Sequence, residues 1–218
     1  TPDGLTTIEL RPAPGGAGWV RSDQPDVGNW GDDDTYSGSL GAVTYHGAVQ
    51  FDLGRIPPNA RIQRAQLRLT GQDASQRRGG TWAVRLLGTD ADYGWTSHGY
   101  AVVHGVSVVD TVGELGAGDL GEGVTNTLDL TVGQVLELQQ RRASTGQVSF
   151  RFDGPTSGDS LFSWDTGQGN DSTQPGPALV VGYALSGPPE ATATPATPVV
   201  TPTPTATLPR PTATPPPT

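Results

Sequence analysis

The sharpest chemical signal in the chain is Asp32-Asp33-Asp34, directly after Gly31. Three adjacent carboxylates repel one another unless water or a cation neutralises them, and hard oxygen donors on a loop are what Ca²⁺ takes. Asp165, Asn170 and Asp171 on a later loop supply oxygens that could complete a structural calcium shell. The spacing is not that of an EF-hand loop, and an Asp-rich turn facing water accounts for the same residues without a metal. Asn170-Asp171-Ser172 also has the pattern of an Asn-glycosylation acceptor.

A second set is aromatic. Trp30, Trp95, Tyr100 and Trp164 fall in or beside loop segments. There, flat rings could stack on the apolar faces of sugars while Asp, Asn and Gln bind the hydroxyls. Local packing or contacts between subunits would use the same rings. Trp19 and Trp82 lie in strand patterns and are expected in the core. The histidines are His46, His98 and His104. They do not have the His-Glu-x-x-His spacing of a zinc site, and the chain has no Gly-x-Ser-x-Gly elbow for a serine nucleophile. His98 and His104 flank a Gly-containing segment and read as turn residues. Carboxylate pairs for glycoside hydrolysis can be drawn from 22 acidic residues in almost any fold, so their presence decides nothing. These residues lead us to expect a protein that is not an enzyme.

Charge narrows the partners. The formal net charge is −9 and the pI about 4.6, with only Glu190 and Arg210 contributed by the last 32 residues. An acidic body repels duplex nucleic acid and anionic membrane, and it argues equally against a lyase or hydrolase acting on an acidic polysaccharide. No apolar run approaches the roughly 20 residues needed to insert across a bilayer. With no Cys there is no disulfide framework, thiol nucleophile or thiolate zinc site. A chain that starts Thr1-Pro2-Asp3 and contains no Met is expected to have lost an N-terminal segment. A cleaved export signal is the expected candidate, and it places the protein outside the cell or at its surface.

The elements that must position these residues are short strands. Tyr45, Val49, Phe51 and Leu53 share one strand face, as do Ala65, Leu67 and Leu69 on the next, with Arg64, Gln66 and Arg68 opposite. Trp82, Val84 and Leu86 repeat the alternation, then Val148, Phe150 and Phe152, then Leu179, Val181 and Tyr183. Further strands are expected over 7–10, 18–21, 101–109, 127–130 and 161–164. One helix is expected, opening on a capping-box pattern at Thr131-Val132-Gly133-Gln134 and closing at Arg141-Arg142. The pattern predicts an all-β domain over 1–186, a two-sheet antiparallel jelly-roll sandwich with one short helix.

Several of these segments resemble a known family. Gly18-Trp19-Val20, Asn29-Trp30-Gly31, Gln50-Phe51-Asp52-Leu53, Ile56-Pro57-Pro58, Ile62, Ala65-Gln66-Leu67-Arg68-Leu69 and Pro177-Ala178-Leu179-Val180-Val181-Gly182-Tyr183 resemble the DNRLRE-type domains of bacterial and archaeal extracellular proteins. The likeness spans most of residues 5–184; residues 88–126 depart from it and are rich in Gly. It implies a jelly-roll β-sandwich, similar to carbohydrate-binding modules, on a secreted or cell-surface protein.

Residues 187–218 are mainly Thr, Pro and Ala and hold eleven of the twenty prolines. Such a tract cannot build a helix or ladder of its own and is expected to be extended and polyproline-II-like. Thr/Pro tracts of this kind are substrates for O-glycosylation, so covalent glycans are expected on Thr192, Thr194, Thr197, Thr201, Thr203, Thr205, Thr207, Thr212 and Thr214, and on Asn170. At ~3.1 Å per residue the tract reaches about 100 Å, against a radius of gyration of roughly 16 Å for the domain. Val199, Val200 and Leu208 are apolar interruptions suited to contacts with another copy of the chain. Head-to-tail repetition of that contact gives a filament or sheath. The other function expected from the sequence is a secreted carbohydrate-binding module, with polysaccharide as partner and the tract as a glycosylated spacer.

Overall fold

The alternating residues do what period-two patterning requires of them. The computed structural model describes residues 4–186. Along them run β1 (Thr6–Leu10), β2 (Ala17–Arg21), β3 (Gly28–Trp30), β4 (Asp34–Leu40), β5 (Val43–Asp52), β6 (Ala60–Asp73), β7 (Thr81–Leu87), α1 (Tyr100–Gly105), β8 (Val108–Gly116), β9 (Thr125–Asp129), α2 (Val132–Ala143), β10 (Gln147–Asp153), β11 (Leu161–Asp165) and β12 (Ala178–Leu185). The strands pair antiparallel in one curled network. One layer has the order β1-β12-β6-β9 and the other β5-β10-β7-β8, the four-plus-four arrangement of a jelly roll. β2, β3, β4 and β11 extend the second layer, and the end of β6 leaves the first layer to pair with β11.

Between the layers, Leu67, Leu69, Leu179 and Val181 meet Val49, Phe51, Trp82, Val84, Leu86, Phe150 and Phe152, all fully buried in one apolar cluster. Phe51 and Phe150 meet edge to face at 6.1 Å. β4 has no counterpart among the expected strands. Its inward face is Thr35, Ser37 and Ser39, and the hydroxyls of Thr35 and Ser37 donate to the carbonyls of Trp164 (3.1 Å) and Phe152 (2.9 Å). Small hydroxylated residues replace the apolar alternation, and the hydroxyls of Thr35 and Ser37 are satisfied by these carbonyls, while the buried Ser39 hydroxyl has no hydrogen-bond partner among the described residues.

The expected helix is α2. Its buried stripe is Gln134, Val135, Leu138 and Arg141, turned toward β6 and β10. Thr131 and Gln134 form the reciprocal cap, with the Gln134 amide N–H donating to Thr131 Oγ1 (3.3 Å) and the Thr131 N–H donating to Gln134 Oε1 (3.0 Å). Thr131→Ala should therefore cost about 1 kcal/mol of stability, while Thr131→Ser should be near neutral; urea unfolding reads both. The expected strand over 101–109 is a correction: residues 100–105 are α1 and the chain extends again only from Val108.

Candidate functional site

β7 ends at Leu87 and β8 begins at Val108, and the 88–107 connection folds over the outer face of the second layer. It carries two turns of 3-10 helix, Thr89–Ala91 and Trp95–Ser97, followed by α1. Ala91, Trp95 and Val103 from this cover bury against Val20 of β2, Ala48 of β5 and Leu87, with Trp30, Tyr100 and Val106 at the margin. Trp30 and Trp95 rings lie 4.8 Å apart, and Trp30 Nε1 donates to the His98 carbonyl at 2.9 Å. The Ala101 N–H donates to Pro25 O at 2.9 Å. Gly99 permits this approach, because a Cβ there would sit 2.4 Å from Pro25 O.

The cover's polar edge holds the densest group of ionisable side chains in this part of the fold. His46 of β5 stands opposite Asp153 of β10 in the strand register, with His46 Nδ1 2.9 Å from Asp153 Oδ1. His46 Nε2 lies 2.9 Å from Nδ1 of His104 on α1. The rings of Tyr100, His46 and His104 are stacked at 5.0 to 5.2 Å. Arg151 grips Asp153 through Nε (2.7 Å) and Nη2 (3.0 Å), while its Nη1 donates to the carbonyls of Val103 (2.8 Å) and His104 (2.9 Å). Arg85 Nε adds a third cationic contact to Asp153 at 3.4 Å. Burial pushes the Asp153 carboxyl up, but His46 and Arg151 outweigh it and hold it well below the usual carboxylate range. His104 is held below its ordinary value by burial and by the neighbouring His46 and Arg151.

Trp30, Trp95 and Tyr100 are thus brought together, though Trp95 is only 5% exposed and presents no ring face to a ligand. Trp164 is a correction. It lies inside β11 at 0% exposure, packed on Phe152 (5.1 Å) and Phe162 (4.9 Å), and is a core residue. Trp19 is half-buried rather than in the core, with rings 5.3 Å from Tyr36 and 5.8 Å from Tyr45, and Nε1 donating to Asp32 Oδ2 at 2.8 Å. The His46, His104 and Asp153 contacts have no sequence signature, because they join residues 58 and 107 apart through strand register and a folded connection.

Asp34 opens β4 and accepts from the Tyr36 hydroxyl at 2.9 Å. Burial raises both Asp34 and Asp33, the latter to about 6 with a hydrogen bond to Asp32 adding to the effect. Asp165 pairs with Asp34 in the β11–β4 register, and both of its carboxylate oxygens are engaged by the loop that follows it. Its Oδ1 accepts from Gly167 N–H (2.6 Å) and Ser172 Oγ (2.6 Å), and its Oδ2 from Thr173 N–H (2.9 Å) and Gln174 N–H (2.7 Å). Among the described residues, no three His, Asp or Glu side chains converge as a metal-binding group. Asn170 is exposed on the loop that Asp165 organises. That loop and the β1–β2 connection enclose a cleft of about 360 Å³ bordered by Arg11, Gln168, Ser172 and Gln174. Thr192, Thr194, Thr197, Thr201, Thr203, Thr205, Thr207, Thr212 and Thr214, and with them Val199, Val200 and Leu208, lie outside the described residues. No protein-family model matches the chain, and no curated protein matches it.

Proposed function

We propose that the protein is a non-enzymatic subunit of an extracellular, glycosylated surface filament or sheath, built head to tail, with the Thr/Pro-rich segment 187–218 of one copy contacting the next. The observation that carries this reading is how the domain hands over to that segment. β12 lies between β1 and β6, with five register pairs on one side and eight on the other. At its end Ser186 N–H donates to Asn59 O (2.9 Å) and Asn59 Nδ2 donates to Ser186 O (3.1 Å). Tension on the following residues is therefore resisted by two hydrogen-bonded ladders and a pinned exit rather than by an edge strand. The Thr/Pro composition supplies reach and sites for sugars, and the jelly-roll order fits a DNRLRE-type extracellular domain. Removing residues 187–218 should leave a folded monomer by circular dichroism and abolish filaments in negative-stain micrographs. Filaments of the shortened chain would overturn the reading.

One observation favours a second function, a carbohydrate-binding module with the segment as a spacer. The cleft bordered by Arg11, Gln168, Ser172 and Gln174 presents amide, hydroxyl and guanidinium groups of the kind that bind sugar hydroxyls. In that case the chain lacking 187–218 should bind polysaccharide as tightly as the full chain, read by isothermal calorimetry.

A further inference from the structure

We propose that the 88–107 connection is an acid-released cover, latched to the outer face of the second layer by the His46–His104 pair. The latch depends on how many protons the pair holds. His46 Nδ1 lies 2.9 Å from a carboxylate that only accepts, so it carries a hydrogen rather than a lone pair even though the N–H is not aligned for a hydrogen bond, and His46 Nε2 then offers a lone pair. The Nδ1–H of His104 fills the 2.9 Å gap to it. One added proton, taken at the exposed Nε2 of His104, still leaves a single hydrogen between the facing nitrogens, so the contact survives. A second proton puts N–H groups on both facing nitrogens, and the two rings, with centroids 5.2 Å apart, then carry like charges.

The groups facing the pair do not offset that second charge. Among the described residues Asp153 is the one carboxylate in contact with the pair, and it is already shared with Arg151 from its own strand and Arg85 from β7. Tyr100 contributes a stacked ring from α1, and β2 meets His46 with Val20. α1 is six residues long and has no side-chain N-cap. Its docking rests on buried Val103, on Arg151 at the carbonyls of Val103 and His104, on the Ala101 N–H at Pro25 O, and on the histidine contact. His104 binds its proton less readily when docked than when free, so docking is fullest above the ordinary value of 6.5 and weakens as pH falls below it. Release uncovers Val20 and Ala48 on the sheet and Trp95 and Val103 on the cover itself.

Hydrogen exchange of the full chain at about pH 7.5 and about pH 5, corrected for intrinsic rates, tests the latch. The amides of Ala101, Val103 and Val106, which donate to Pro25, Gly99 and Val102, should lose protection by about tenfold or more in acid, while those of β5 and β10 hold theirs. His104→Gln should abolish the pH dependence, because an amide can turn either its NH2 or its oxygen toward His46 and never becomes charged. Equal protection of the wild-type cover at both pH values would overturn the proposal. So would a His104→Gln chain that loses protection in acid as the wild type does.

Discussion

Arg141→Ala should destabilise the domain by about 3 to 5 kcal/mol in urea unfolding, the cost of breaking a buried ion pair from one side. The Arg141 side chain is 1% exposed on the inner face of α2. Its Nη2 donates to Leu87 O at 2.5 Å, its Nε to Glu137 Oε1 at 2.8 Å, and its Nη1 stands 3.6 Å from Asp92 Oδ2. Asp92 sits in the connection after β7, wholly buried, and accepts from Ser149 Oγ (2.9 Å) and Thr145 Oγ1 (3.0 Å). Burial already pushes its carboxyl up, with Ser149, Arg141 and Thr145 opposing. Without the guanidinium that opposition shrinks and a buried charge is left without its cation. Because the folded-state value lies above the unfolded one, lowering the pH toward the carboxylate range protonates Asp92 in the folded state and restores stability. The deficit of Arg141→Ala should therefore be largest near neutrality and narrow in acid. Adding Asp92→Asn should recover part of it at pH 7. A deficit that is independent of pH and unmoved by Asp92→Asn would assign the effect to lost packing alone.

Asp165→Ala should cost about 3 kcal/mol and unfold the loop after β11, since three backbone N–H groups and one hydroxyl lose a charged acceptor together. The same carboxylate shapes the cleft between that loop and the β1–β2 connection. Gly15 N–H donates to Gln168 Oε1 (2.9 Å) and Gln168 Nε2 to Ala13 O (3.0 Å), contacts that exist only if residues 166–168 are held in place. Asp165→Asn should do little better than Ala, because its NH2 group would confront N–H donors. Chemical-shift changes confined to 166–176 and 11–16, with the cores of β5 and β10 unmoved, are the expected signature in two-dimensional amide spectra. If Asp165→Ala leaves stability and those shifts unchanged, the four hydrogen bonds do not hold the loop.

Much of the fold was legible where the sequence alternates. Trp82, Val84 and Leu86, like Val148, Phe150 and Phe152, announce their strands because one face is apolar and wholly buried. The α2 cap and its closing arginines are local chemistry and read directly. The strand over 161–164 is expected, but β11 is buried along its whole length, so no alternation marks Trp164 as core, and the Asp and Gly residues that follow it set it beside a loop. β4 uses Thr and Ser inward, a pattern that apolar periodicity does not see. The Val-rich run over 101–109 has strand propensity, yet α1 forms because Arg151 holds its last carbonyls and Val103 finds a socket on β2 and β5. Asp165 shows why an acidic residue in sequence is a weak pointer to a metal: its oxygens are spoken for by N–H and O–H donors from residues 167–174, a contact set visible only in three dimensions.

Whether segment 187–218 links copies through a glycosylated contact is decided by cryo-electron microscopy of the native material together with intact mass spectrometry. The expected result is filaments with density for the segment running from β12 of one copy onto its neighbour, and a mass well above 22.6 kDa. Monodisperse particles at the bare peptide mass would contradict it.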